Sequence, residues 1–160
     1  MRTSIVFLMG VLLGSAIPAS LAQGNRLTGM NGVNHVGINV ENFDEAMAFY
    51  TQKMGFPEAF TVRNDQGQPT LAYVQVSRNT FVELQPAGNR APGITHLGLH
   101  VEDIRATIAS LRQRGVTVEE PRAGGTKSVI ANATGPGGVR IELSELGPES
   151  LPKKAMDGWR

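Results

Sequence analysis

The chain has 160 residues and a formal net charge of +1, with 18% charged and 41% hydrophobic residues. That balance excludes a disordered chain, and the lack of a basic run or an aromatic ladder excludes a nucleic-acid partner. There is no cysteine, so the domain is held by packing alone or by packing plus a metal.

The first residues form a leader. Met1-Arg2 is positive, Ile5 to Leu13 is almost wholly apolar, and Ser20 and Ala22 are small. That order predicts a signal peptide over 1–22, cut after Ala22, and a secreted or periplasmic mature protein. The apolar run is short of the roughly 20 residues a span needs, so no stable membrane span is expected after cleavage. Residues 23–32 read as a flexible lead-in.

From Asn34 to Val40 the chain alternates. Val36, Ile38 and Val40 point one way, His35, Gly37 and Asn39 the other. Asn42 with Glu45 predicts a capped helix. Phe43, Met47, Tyr50 and Met54 give its apolar stripe, read as core, and Gly55 ends it. Three strands follow at Glu58 to Arg63, Thr70 to Val76 and Thr80 to Gln85, then a Pro- and Gly-rich boundary from Pro86 to Gly93.

The order then repeats. Ile94 to Val101 is a strand, and Asp103 caps a helix whose stripe is Ile104, Ile108 and Leu111. Val116 to Glu120, Ser128 to Ala133 and Val139 to Ser144 are predicted strands, with a loop at Ala123 to Thr126. The tail 147–160 is polar, is assigned no element, and is expected on the surface or against a partner. Thus a domain over 33–146 holds two modules, 33–86 and 94–145, each strand, helix, strand, strand, strand. This is an α+β class.

The repeat carries the chemistry. Asn34 to Asn42 and Thr95 to Asp103 both run His, apolar, Gly, apolar, polar, Val, Glu, then Asn or Asp, and the histidines lie 61 apart (96 − 35). Glu83 and Glu142 fall in equivalent last strands, 59 apart (142 − 83). By alternation His35, Glu83, His96 and Glu142 occupy the face opposite the helices. Gly37 and Gly98, two residues after each histidine, remove side-chain bulk beside the imidazole. Any one of these alone reads as a structural or solvated residue. Together, in repeat symmetry, they read as ligands of one divalent ion such as zinc, nickel, manganese or iron. His100 shares the face of His96, with Asn39 in the equivalent place, and both are read as substrate-binding. Arg140, beside Glu142, is read as binding an anionic substrate or as a rim charge.

With these residues in place the chain resembles the vicinal oxygen chelate superfamily, which includes glyoxalase I, bleomycin-resistance proteins, extradiol dioxygenases and methylmalonyl-CoA epimerase. The likeness covers about 33 to 145 and rests on the two histidine strands and on Phe81-Val82-Glu83-Leu84 and Val139-Arg140-Ile141-Glu142-Leu143. It implies paired βαβββ modules in an open, cup-shaped mixed sheet with helices outside and the metal on His35, Glu83, His96 and Glu142. The His, Glu, His, Glu set is similar to that of glyoxalase I, which implies a metal-dependent lyase or isomerase with Glu142 or Glu83 as the catalytic group. Asn39 stands where bacterial glyoxalase I has an arginine for glutathione. The alternatives are an iron(II) dioxygenase and a drug- or metabolite-binding protein without turnover. The sequence leaves open whether the modules close within one chain or swap across a homodimer.

Overall fold

The computed structural model describes residues 27–160; the leader and the first part of the lead-in lie outside the described residues. The first strand, β1 (Met30–Val40), starts inside the expected lead-in. It is followed by α1 (Phe43–Ala48), which runs on into a π-helical turn (Phe49–Lys53), and by β2 (Glu58–Arg63), β3 (Pro69–Ser77) and β4 (Thr80–Pro86). The second module supplies β5 (Gly93–Val101), α2 (Ile104–Gln113), β6 (Arg122–Ala123), β7 (Val129–Thr134) and β8 (Arg140–Glu145). A last helix, α3 (Leu151–Gly158), occupies the tail.

The eight strands form one mixed, curled sheet in the order β2-β3-β4-β1-β5-β8-β7-β6. Each module contributes four consecutive strands, and β1 meets β5 antiparallel at the centre. The modules therefore close on each other within a single chain. β1 runs parallel to β4, and β5 parallel to β8, as the repeat requires.

The helix caps form as read: the Asn42 side chain accepts from the Glu45 amide at 3.1 Å, and Asp103 from the Ala106 amide at 2.9 Å. What the two helices bury differs. Ile104, Thr107 and Ile108 of α2 are buried against Val101, Val118, Ala131, Ala133 and Leu143. No residue of α1 is buried, and Met54 is 49% exposed. The expected stripe of 43, 47, 50 and 54 fails as core for a local reason. The Met54 amide bonds the Phe49 carbonyl, five residues back. A turn of that kind holds an extra residue: Phe43, Met47 and Tyr50 stay half-buried, and Met54, past the turn, is carried into solvent.

Two other expectations are corrected. Val116 to Glu120 is not a strand: only Val118 bridges to Ala133. Pro121, which lacks an N–H, interrupts that run before the short pairing of Arg122 with Ile130. The tail is not without structure. Its helix α3 begins where the Leu151 amide bonds the Thr126 carbonyl at 2.9 Å. Near its end Arg78, on the β3–β4 turn, donates to the Met156 and Trp159 carbonyls at 3.3 and 3.4 Å. The tail thus packs on its own chain and ties the two modules together.

Candidate metal centre

The strand register assembles the centre. Glu83 on β4 lies beside Gly37 on β1, which lies beside His96 on β5. In the next row His35 lies beside Gly98 on β5, which lies beside Glu142 on β8. Both glycines are required by contact. A Cβ at Gly37 would overlap the His96 ring, and one at Gly98 would overlap the His35 ring. Each glycine therefore seats the histidine of the other module, rather than clearing space beside its own.

The donor atoms converge. His35 Nε2 is 3.0 Å from His96 Nε2, 3.3 Å from Glu83 Oε2 and 3.5 Å from Glu142 Oε1. His96 Nε2 is 3.2 Å from Glu83 Oε2. Ligand atoms of His35, His96 and Glu142 all lie within 4.8 Å of one another. Donors each about 2.0–2.2 Å from one ion stand roughly 3 Å apart when at right angles, so these spacings fit a shared divalent cation. The chemistry fits as well. Two imidazole nitrogens and two carboxylate oxygens face each other, and a cation between them would satisfy all four.

One further residue, not singled out by sequence, fixes the chemistry of His35. The pairing of β1 with β5 slips between Val33 and His35, leaving Asn34 as a bulge. Bulges re-aim side chains next to sites, and Asn34 Oδ1 stands 3.1 Å from His35 Nδ1. An acceptor there keeps the hydrogen on Nδ1 and leaves the Nε2 lone pair to bind. The Asn34 amide nitrogen in turn donates to the Asn79 carbonyl at 3.3 Å and faces Met156 Sδ of α3 at 3.9 Å. Alternation on β1 hides this, because it sends Asn34 to the far side.

Burial sets the electrostatics. It pulls His35 down to about 4, against the opposing pull of Glu83. Burial also works to raise Glu83, but the His96 hydrogen bond, the attraction of both histidines and the Gln85 amide outweigh it and hold the carboxyl below its usual range. Glu142 goes the other way: burial, then the charge of Glu83, raises it. The Tyr73 hydroxyl donates to Glu83 at 3.3 Å, and burial with the two glutamates holds that phenol protonated.

A cavity of about 280 Å³ opens beside Glu83 and Glu142, walled by Tyr73 and the Gly124-Gly125 loop and carrying Arg90, Arg122 and Arg140. Of the four predicted ligands, Glu83 and Glu142 line it, and Arg140 joins it to the histidines by donating to His96 Nδ1. Asn39 and His100 are not among the residues lining this cavity. Asn39 donates to the Ala91 carbonyl at 3.3 Å, while its Oδ1 is buried without a partner. His100 sits toward the end of β5, 3.5 Å from Asn31, and is lowered by burial. Arg90 and Arg122 were missed. They come from the module boundary and an edge strand, and only the curl of the sheet brings them here.

Comparison with known proteins agrees with this geometry. Residues 32–143 match the model of the family described as the Glyoxalase/Bleomycin resistance protein/Dioxygenase superfamily. The chain is 32% identical to a probable lactoylglutathione lyase of Synechocystis over 123 residues, 68% of this chain and 91% of that one. It is 26% identical to the mitochondrial methylmalonyl-CoA epimerase of Dictyostelium discoideum over 132 residues, 73% and 80% of the two chains. The crystal structure of methylmalonyl-CoA epimerase from Mycobacterium tuberculosis superposes with a TM-score of 0.66 at 30% identity, covering 80% of this chain and 97% of that chain.

Proposed function

The chain belongs to the glyoxalase/bleomycin resistance protein/dioxygenase superfamily, and on that premise we propose that it is a metal-dependent isomerase or lyase acting on a small oxygenated substrate. The observation that carries this reading is the convergence of His35, His96 and Glu142, whose ligand atoms lie within 4.8 Å of one another, with Glu83 Oε2 standing 3.3 and 3.2 Å from the two imidazole Nε2 atoms. The relatives' names, an epimerase and a lyase, are of the same kind. A bound divalent ion would polarise a substrate carbonyl and acidify the neighbouring C–H.

The residues then divide the work. Glu83 is kept ionised by His96, His35 and Gln85, and Tyr73 holds its Oε2. It is suited to stay in place as a ligand. Glu142 is raised and more exposed, with Ser144 donating to its Oε1 at 3.2 Å and His35 Nε2 standing 3.5 Å from it. A raised carboxylate takes up and returns a proton more readily than one held low, as Glu83 is. We assign Glu142 as the group that moves a proton between adjacent substrate carbons. The fourth donor, Glu83, favours this reading over ring-cleaving oxygen chemistry. Export through the leader at 1–22 is part of the proposal and would place the reaction outside the cytoplasm.

The test is metal content and proton exchange together. Purified mature protein should carry about one divalent ion per chain, lost in His35→Ala. It should exchange the acidic C–H of a bound α-hydroxy-ketone with deuterated solvent, and Glu142→Gln should abolish exchange while retaining metal. Protein that takes up none of zinc, nickel, manganese and iron would overturn the proposal.

A further inference from the structure

We infer that the cavity beside the two glutamates is a carboxylate-binding subsite in which Arg122 and Arg140 form the fork and Arg90 supplies a fixed positive field. The inference rests on the metal-site reading for its setting, but its residues are separate from the ligands.

The charge count comes first. The cavity carries Glu83 and Glu142 against Arg90, Arg122 and Arg140. Three guanidiniums exceed two carboxylates by one, and a divalent ion on the glutamates would bring the surplus to three. A walled, cationic space of about 280 Å³ is below the roughly 300–1,000 Å³ of sites for drug-sized ligands. It suits a compact anion, or the anionic end of a larger molecule.

The three arginines are not equivalent. Arg90 is committed: it donates from Nε to the Ala87 carbonyl at 3.2 Å, from Nη1 to Gln85 Oε1 at 3.1 Å and from Nη2 to the Pro86 carbonyl at 2.8 Å. Gln85 in turn donates to Glu83. Arg90 is therefore held by its own loop, with its charge on the cavity wall. Arg122 is the opposite case. It is exposed on the short strand β6, beside the Gly124-Gly125 loop. Its backbone pairs with Ile130, but among the described residues its side chain makes no hydrogen bond or ion pair.

Arg140 lies between these extremes. Its Nη2 meets His96 Nδ1, which also faces Thr95 Oγ1 at 2.9 Å. A guanidinium only donates. Only Nη2 of Arg140 is engaged; among the described residues no hydrogen bond is made by its Nε or Nη1, so that edge of the guanidinium is open to an anion with or without an ion on His96. A planar guanidinium with adjacent N–H groups matches the two oxygens of a carboxylate, which a single point charge does not. Two forks on one small cavity select a carboxylate over a neutral amide of the same shape.

The experiment is calorimetric titration of full-length mature protein, zinc-loaded and metal-stripped, with malonate, malonamide and inorganic phosphate. Wild-type protein in both forms should bind malonate at least tenfold more tightly than malonamide or phosphate. Arg122→Gln and Arg140→Gln should each weaken malonate about 10- to 100-fold, with Arg122→Lys recovering only part of the loss. Zinc affinity of Arg122→Gln should stay at the wild-type level. Equal binding of malonate and malonamide, tighter binding of phosphate, or unchanged malonate affinity in both glutamine variants would overturn the assignment. The metal-stripped arm keeps this separate from the metal proposal. A protein that binds no metal but holds malonate through Arg122 and Arg140 retains the subsite and loses only the chemistry.

Discussion

The two modules are copies in backbone and in donor atoms, yet they differ in almost everything around them. α2 fully buries Ile104, Thr107 and Ile108 on its half of the sheet, whereas α1 only half-buries Phe43, Ala46, Met47 and Ala48. At the centre, Glu83 is 4% exposed and held low, while Glu142 is more open and held high. Beside His35 on β4 stands the apolar Phe81, and at the equivalent place in the second module, two residues before its glutamate, stands Arg140. Duplication supplies two histidines and two glutamates in equivalent places. Divergence of the neighbours then gives the two halves different electrostatics, one glutamate held low and the other raised.

That contrast can be broken at several points. The largest effect is expected from Ile108→Ala, which should cost about 2–5 kcal/mol of unfolding free energy, against less than about 1.5 kcal/mol for Met47→Ala on α1, both read by denaturant unfolding. Equal losses would mean that the two helices carry the fold alike.

The next prediction concerns pH. His35 falls to about 4 in the folded protein from 6.5. Below pH 6.5 the unfolded chain therefore takes a proton that the folded one refuses, and stability declines until about pH 4. The loss should amount to about 3 kcal/mol in metal-stripped protein. Glu83, also depressed, adds to the decline at the acid end, while the raised Glu142 acts in the opposite sense. Thermal unfolding between pH 7 and 4 should show the slope, and His35→Gln should flatten it.

Gly37→Ala and Gly98→Ala should each destabilise by about 1–3 kcal/mol and abolish metal binding, because each methyl enters the opposite module's imidazole. Here symmetry is expected to hold. A variant pair in which only one loses metal would show that the centre is less evenly built than its strand register. The smallest effect belongs to Arg78→Ala, which releases the end of α3 from the β3–β4 turn. It should cost less than about 1 kcal/mol but speed amide exchange in the 151–158 helix.

The two His-x-Gly strands were legible because the strand period is two: alternation put His35, Gly37, His96 and Gly98 on one face, and the repeat did the rest. The helix stripe of the first module misled because the sequence does not announce a π turn. The partners of the histidines were hidden for a similar reason. Asn34 faces His35 only through a bulge, and a bulge shifts the register that pattern reading depends on. Asn39 and His100 do not line the cavity beside the glutamates; the alternation that puts them on a face says nothing of which cavity that face meets.

The sequence by itself determined the duplicated βαβββ order, the α+β class and the equivalent strand positions of His35, Glu83, His96 and Glu142, since these follow from local periodicity and repetition. Only the tertiary structure decided that the modules close within one chain, that each glycine seats the other module's imidazole, and that Arg90, Arg122 and the tail helix reach the site. These are contacts between residues far apart in the chain. They depend on how a curled sheet brings its edges round to its centre, and no local pattern carries that curvature.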